Sequence, residues 1–458
     1  MQSFQLISTR LAGEKYLITI FVFAFGIRLI NILFLSGQSA YFSQDDSALY
    51  WNLGAALSES ATFRDALLTS TERMPLYPLF LAGVRHLFGD APGVAVFLQT
   101  FFDSVTCTLI AALGSLYSRR VGLIAGLFAA LSMNLIIFSS QILTDTAFVT
   151  FFTSFLYLAA RFLKSPSNWT IALAGLFGGL SLAVRPVPAI MLAAGLPLVL
   201  YLSYVRSHRL IATLFAGLLF VLGVVLPIAP VLLRNVTQYG SWKLMSEGGD
   251  HLAYWIVPLV AQRADGTPYQ RSVETMRVRY ERRLLELGVD RQANPFQLDE
   301  IKTDVAREAM NGLPAAAFIK AWLDGMLVNL AAPAIIMDPR VRALPKPSFY
   351  DTAGKTLWAR GSAYFFEGRG LYPALLLLGL AAGVPVLFLQ AQGFFILYLR
   401  WPGVALLSGL VVLYFLLISG PVATPKYRLP IEPVLIVLTA IAVDWWWRAR
   451  SIRATRML

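Results

Sequence analysis

An adjacent pair of carboxylates, Asp45-Asp46, stands just past the first membrane-length apolar stretch of a chain that otherwise keeps charge out of its apolar segments. Ionised carboxylates are costly near lipid, so a pair at a membrane exit points to function. The pair opens the pattern Asp45-Asp46-x-x-x-Tyr50, and Arg73-x-Pro75-x-Tyr77-Pro78 follows it. Two neighbouring carboxylates repel, so one can titrate high enough to act as a base near neutral pH. Such a base takes the proton of an incoming hydroxyl or amine, while positive charge stabilises a departing phosphate. Together these residues point to an enzyme working on a lipid-linked substrate at the outer membrane face. The structural alternative is that Asp45-Asp46 caps an interfacial helix starting near Ser47.

A third acid, Asp145, opens a later span after Ser139-Ser140-Gln141 and suits acceptor orientation, a metal ligand or a helix cap. The cationic candidates are Arg73, Arg185, Arg234, Lys426 and Arg428. All five are predicted on the outer side, where short-loop positive charge is disfavoured. They therefore ask for an anionic partner, and a phosphate suits Arg through bidentate hydrogen bonds. Snorkelling, or pairing with Asp or Glu, is the alternative. Tyr50, Tyr77 and Tyr427 fit either a substrate cavity or an aromatic belt. Arg28 falls inside the first span and is expected to face the bundle in a structural role, paired with an acid. Gly248-Gly249-Asp250-His251 suits a tight turn over the site, with His251 an exposed loop residue. Asp45, Asp46 and Asp145 either bind a divalent ion (Mg or Mn) or work without one.

These residues need elements to position them. The chain has 458 residues, 57% hydrophobic and 14% charged, with a mean hydropathy of +0.64. Soluble domains carry roughly 25% charged residues, so an all-α polytopic membrane protein is expected. Ten segments approach the length a spanning helix needs: 16–36, 93–117, 121–138, 142–162, 169–184, 187–204, 210–232, 371–392, 402–420 and 429–447. With the N-terminus inside, the inner segments carry Arg10 and Lys15, Arg119 and Arg120, Arg161 and Lys164, Arg206 and Arg209, Arg400, then Arg448, Arg450, Arg453 and Arg456. The acids there are Glu14 and Asp444. Both termini are thus predicted in the cytoplasm of an inner (plasma) membrane protein. The net charge of +12 follows from this topology and from anionic lipid, with no need for nucleic acid. The first apolar stretch reads as a retained anchor, being too long for a typical signal peptide. Lone Cys107 excludes an internal disulfide and reads as a packing residue, and Trp445-Trp446-Trp447 reads as an inner-face anchor. Neither zinc-type Cys/His spacing, nor a Walker loop, nor G-x-G-x-x-G, nor an internal repeat is present.

Three parts result. Residues 1–233 form an N-terminal bundle that includes a first outer catalytic loop, 37–92. Residues 234–370 form an extracytoplasmic helical layer holding 33 of the 64 charged residues, and 371–458 supply the last spans. Within the first loop, 76–88 is too short to span and reads as an interfacial or re-entrant helix. In the layer, 272–287 and 298–310 have helical spacing. Segment 315–330 reads as an interfacial helix; as a span it would make an eleventh.

The order of Asp45-Asp46-x-x-x-Tyr50 and Arg73-Met74-Pro75-Leu76-Tyr77-Pro78 resembles the first outer loop of the GT-C glycosyltransferases, in the branch of dolichyl-phosphate-mannose protein mannosyltransferases and aminoarabinose transferases. Leu143-Thr144-Asp145, Val184-Arg185-Pro186, Arg234-Asn235 with Gly240 and Gly248-Gly249, and Tyr427-Arg428-Leu429-Pro430 extend the resemblance along the chain in the family's order. The resemblance implies a GT-C bundle and sugar transfer from a polyprenyl-phosphate carrier to a lipid, protein or glycan acceptor outside the cytoplasm. It implies that Asp45 is the catalytic base or acceptor orienter, supported by Asp46 and Asp145. Asp46 departs from the pattern, which usually has Glu there. The rivals are a ligase or polymerase of lipid-linked glycans, a flippase or transporter of lipid-linked sugars, and a non-catalytic assembly subunit.

Overall fold

The computed structural model describes residues 2–35, 37–43, 45–59, 70–352, 354 and 356–456. It does not extend to the side chains of residues 2–14, 45 and 451–456. The side chains of Arg10, Glu14, Asp45, Arg453 and Arg456 thus lie outside the described residues.

The chain is helical, with no strand among the described residues. The helices that matter for function are α1 (Gln2–Leu33), α2 (Asp45–Ser58), α3 (Leu76–Phe88), α4 (Pro92–Ser115), α5 (Arg119–Leu131), α6 (Met133–Ser139), α7 (Asp145–Lys164), α8 (Asn168–Val184), α9 (Ala189–Ser207), α10 (Leu210–Tyr239), α11 (Val257–Ala264), α12 (Tyr269–Leu287), α13 (Pro295–Asn311), α14 (Ala315–Ala331), α15 (Leu357–Glu367), α16 (Tyr372–Arg400), α17 (Pro402–Ser419) and α18 (Glu432–Arg456). Among the described residues eight helices are long and apolar enough to cross a membrane, or up to ten if each of two bent pairs is one span. The protein is a multi-pass membrane protein.

Two expected spans look different in space. The run at 121–138 is broken at Ser132, where α5 and α6 meet at 49°. Ser132 takes an extended conformation there and its hydroxyl accepts from Leu135 N, capping α6. The run at 169–184 is a 17-residue helix, and it packs deep against α10. A Cβ at Gly175, Gly179 or Gly223 would strike the backbone of the facing helix. Small residues let two helices approach closely where lipid supplies no hydrophobic drive between them. Segment 315–330 is helical as expected, turned by 112° from α13.

Inside the bundle, Arg28 is fully buried and its Nε lies 2.5 Å from Asp103 Oδ2. Its terminal nitrogens donate to Ala130 O at 2.7 Å and Ala129 O at 3.2 Å. Those carbonyls belong to the last turn of α5, where helical partners run out; Ala129 O also accepts from Ser132 N at 3.2 Å. The expected acid partner of Arg28 is therefore Asp103. Cys107 is buried, as a packing residue should be, and its sulfur also accepts from Arg28 Nη2 at 3.1 Å.

The basic helix ends gather at one end of the bundle. Arg120 and Arg448 both reach Asp444, Lys164 donates to Leu116 O, and Arg206 donates to Phe162 O. Along the same helices, the opposite end carries α2, α3 and the polar layer made by α11 to α15.

Candidate active site

Asp46 lies in the first turn of α2, half exposed, between two cations. Arg73 Nη2 is 3.8 Å from its Oδ1 and Lys426 Nζ is 3.6 Å from its Oδ2. Asp145 opens α7 and is buried. Its Oδ2 accepts from Arg185 Nη2 at 2.7 Å and lies 3.7 Å from Lys426 Nζ. Arg185 Nε donates to Thr144 Oγ1 at 2.6 Å. Lys426 thus bridges the two acids, and five expected site residues from four separate stretches of chain come together. The side chain of Asp45, which opens α2, is outside the description.

Local structure explains how they meet. Arg185 ends α8 in an extended conformation because Pro186 follows, and the residue before proline is pushed out of the helical region. Lys426 and Tyr427 lie in the short Pro425–Ile431 helix that leads into α18, with Thr424 Oγ1 accepting from Lys426 N. Gln141, in the turn between α6 and α7, donates from Nε2 to Met337 O at 3.1 Å. The same turn is gripped by Gln99, whose Nε2 donates to Gln141 O and Ser139 O.

Tyr50 and Tyr77 are both buried, with rings edge to face at 5.5 Å. Tyr77 donates to Gln99 Oε1 at 2.5 Å. Burial pushes the Tyr50 hydroxyl up, against the pull of Arg185 and Arg73. Burial would lower Arg185, yet Asp145 foremost, with Tyr50, Tyr427 and Asp46, holds it above its ordinary value. All three tyrosines therefore border the charged cluster or its immediate support.

Two expected phosphate ligands are engaged elsewhere. Arg428 Nε donates to Glu432 Oε2 at 3.0 Å and its Nη1 donates to Leu330 O at 3.0 Å. Arg234 donates to Asn235 Oδ1 at 2.8 Å and to Ser70 O at 3.0 Å. Arg234 thereby ties the end of α10 to the residues leading to Arg73. Sequence reasoning missed Glu247, which forms an ion pair with Arg73 Nη1. Its only sequence signal is its place just before Gly248-Gly249. Ser246 joins this contact, its N donating to Thr71 O at 3.0 Å.

Among the described residues no group of three or more His, Cys, Asp or Glu comes together. Asp46 and Asp145 each face two cationic side chains instead. The arrangement suits an oxyanion: three cations converge on one cleft, and the fork of Arg73 keeps a buried Nε with no hydrogen-bond partner.

Residues 72–233 match the family model described as Dolichyl-phosphate-mannose-protein mannosyltransferase. That stretch is similar to the mannosyltransferase family. The match agrees with the resemblance read from the motifs over that stretch, and Arg73, Tyr77, Asp145 and Arg185 lie within it. No curated protein matches the chain. Among solved structures, the crystal structure of ArnT from Cupriavidus metallidurans bound to undecaprenyl phosphate is 13% identical, with 94% of this chain and 77% of that chain covered and a TM-score of 0.39. The apo-state structure of the same protein is 13% identical, with 88% and 75% covered and a TM-score of 0.31.

Proposed function

We propose that the protein is an integral-membrane glycosyltransferase that moves a sugar from a polyprenyl-phosphate donor to an acceptor on the extracytoplasmic side of the plasma membrane. The observation that carries this reading is the convergence of Arg73, Arg185 and Lys426 on Asp46 and Asp145 at one end of the bundle. As the bond between sugar and phosphate breaks, negative charge grows on the phosphate oxygens. Fixed cations in a partly dry cleft stabilise that charge without reorganising. Asp45 serves as base or orienter for the acceptor hydroxyl or amine. Lys426 sets the spacing of Asp46 and Asp145, and Arg185 orients Asp145. The mannosyltransferase-family match and the apolar spans support a lipid carrier as the donor's other half.

The test is mass spectrometry of lipids that copurify with the wild-type protein and with Arg73→Ala. A polyprenyl-phosphate sugar bound to the first and lost from the second supports the donor and its phosphate site together. No such lipid, even after a panel of candidates is added, overturns the donor assignment. An Asp45→Asn variant that folds, binds donor and transfers at the wild-type rate removes Asp45 from the chemistry.

A further inference from the structure

A second basic cluster lies inside the outer layer, built from residues the proposed reaction does not use. Arg360, on α15, is 1% exposed, and its Nε and Nη2 are buried with no hydrogen-bond partner. Its guanidinium stands over the Phe349 ring at 5.6 Å. Arg263, near the end of α11, is also buried, and its Nη1 likewise has no partner. Its Nε lies 2.5 Å from Asp324 Oδ2, on α14. Among the described residues Asp324 pairs with Arg263 alone, while Gln262 beside it donates from Nε2 to Tyr350 O and Arg360 stands over Phe349, so the segments that carry the two arginines meet at residues 349–350.

That arrangement is costly by itself. An uncompensated buried charge is destabilising, and a buried donor left unpaired adds to that cost. Burial first, then the field of Arg263, pulls Arg360 down to about 10, with Asp324 opposing. At neutral pH Arg360 still carries its proton, so both cations persist. What relieves them is an anion. Three unpartnered N–H directions from two planar forks match the oxygens of a phosphate-type group better than a chloride. Asp324 is the most exposed of the three side chains, at 22%. Tyr350 follows Phe349 in the chain, and its hydroxyl donates to Ala423 O at 2.9 Å, which ties the cluster to the segment that carries Lys426.

We propose that Arg263 and Arg360 form a second oxyanion-binding site, separate from Arg73, Arg185 and Lys426, that takes a phosphate monoester group. The group is carried either by a membrane lipid or by a soluble or acceptor-borne phosphate. The site does not depend on the sugar-transfer reading.

The full chain in neutral-lipid nanodiscs tests this by thermal stability. One arm adds inorganic phosphate, with chloride as control; the other incorporates farnesyl phosphate. The expected result is a saturable rise in Tm that survives in Arg73→Ala. Arg360→Met and Arg263→Met should weaken it by about tenfold or more, as for loss of a charged hydrogen bond. Dependence on Arg360 with inorganic phosphate supports a soluble or acceptor-borne group. Dependence with farnesyl phosphate alone supports a lipid. Arg360→Lys keeps the charge without the fork and should fall between; it stands in if the Met variant does not fold. Equal responses from wild type, Arg360→Met and Arg263→Met in both arms overturn the site. So does a response lost in Arg73→Ala and kept in Arg360→Met.

Discussion

Lys426 brings its ammonium to 3.7 Å from Asp145 Oδ2, the same oxygen that Arg185 Nη2 holds at 2.7 Å. Lys426 belongs to the turn before the last helix and Asp145 to the start of α7, so the contact closes the cleft between the two halves of the chain. Lys426→Met keeps most of the length of the side chain and removes its charge. The expected outcome is a loss of about 10²-fold in transfer rate, with folding retained. A rate within a few-fold of wild type, measured with saturating donor, removes Lys426 from the phosphate site.

In the proposed donor site Glu247 would compete with phosphate for Arg73, because its carboxylate already pairs with Nη1. The pair is partly exposed, at 17% and 32% for the two side chains, so its strength is that of a screened contact, about 1 kcal/mol or less. Glu247→Gln should tighten donor binding by about fivefold or less at low salt. The gain should shrink as salt rises. Weaker binding would mean instead that Glu247 holds Arg73 in the productive orientation.

Arg28 and Asp103 form a fully buried pair that also caps the broken helix α5. Removing one partner strands the other charge. Arg28→Met should therefore destabilise the bundle by about 3–5 kcal/mol. The double variant Arg28→Met, Asp103→Leu should recover much of that loss. Unfolding in mixed micelles reads both, and a single variant as stable as wild type would show that the pair contributes nothing.

His251 responds to pH in the outer layer. Burial lowers it below the ordinary 6.5, so the unfolded chain takes up the proton first as pH falls. The contribution of His251 to stability is then lost on acidification from about 6.5 downward through the folded value. Hydrogen exchange of residues 248–264 should accelerate over that range, and His251→Gln should flatten the dependence. A wild-type profile unchanged in His251→Gln would assign the acid sensitivity elsewhere.

Much of the molecule was legible from composition and pattern alone. Apolar runs of membrane length set the helices, because backbone groups in lipid must be satisfied within the segment. The acids and cations at or beyond the ends of those runs, Asp46, Arg73, Asp145, Arg185 and Lys426, marked one end of the bundle as charged. Partner choice was not legible. Arg428 and Arg73 look equally available in the sequence, yet Glu432, four residues on along the chain, takes the first, while Arg73 keeps a buried Nε without a partner. Glu247, Arg263 and Arg360 read as ordinary charges of a polar layer until folding sets them beside Arg73, Asp324 and Phe349. The physical reason is range. Helix formation depends on neighbours a few residues away, whereas an ion pair depends on positions that only long-range packing fixes, and burial then decides how much each pair matters.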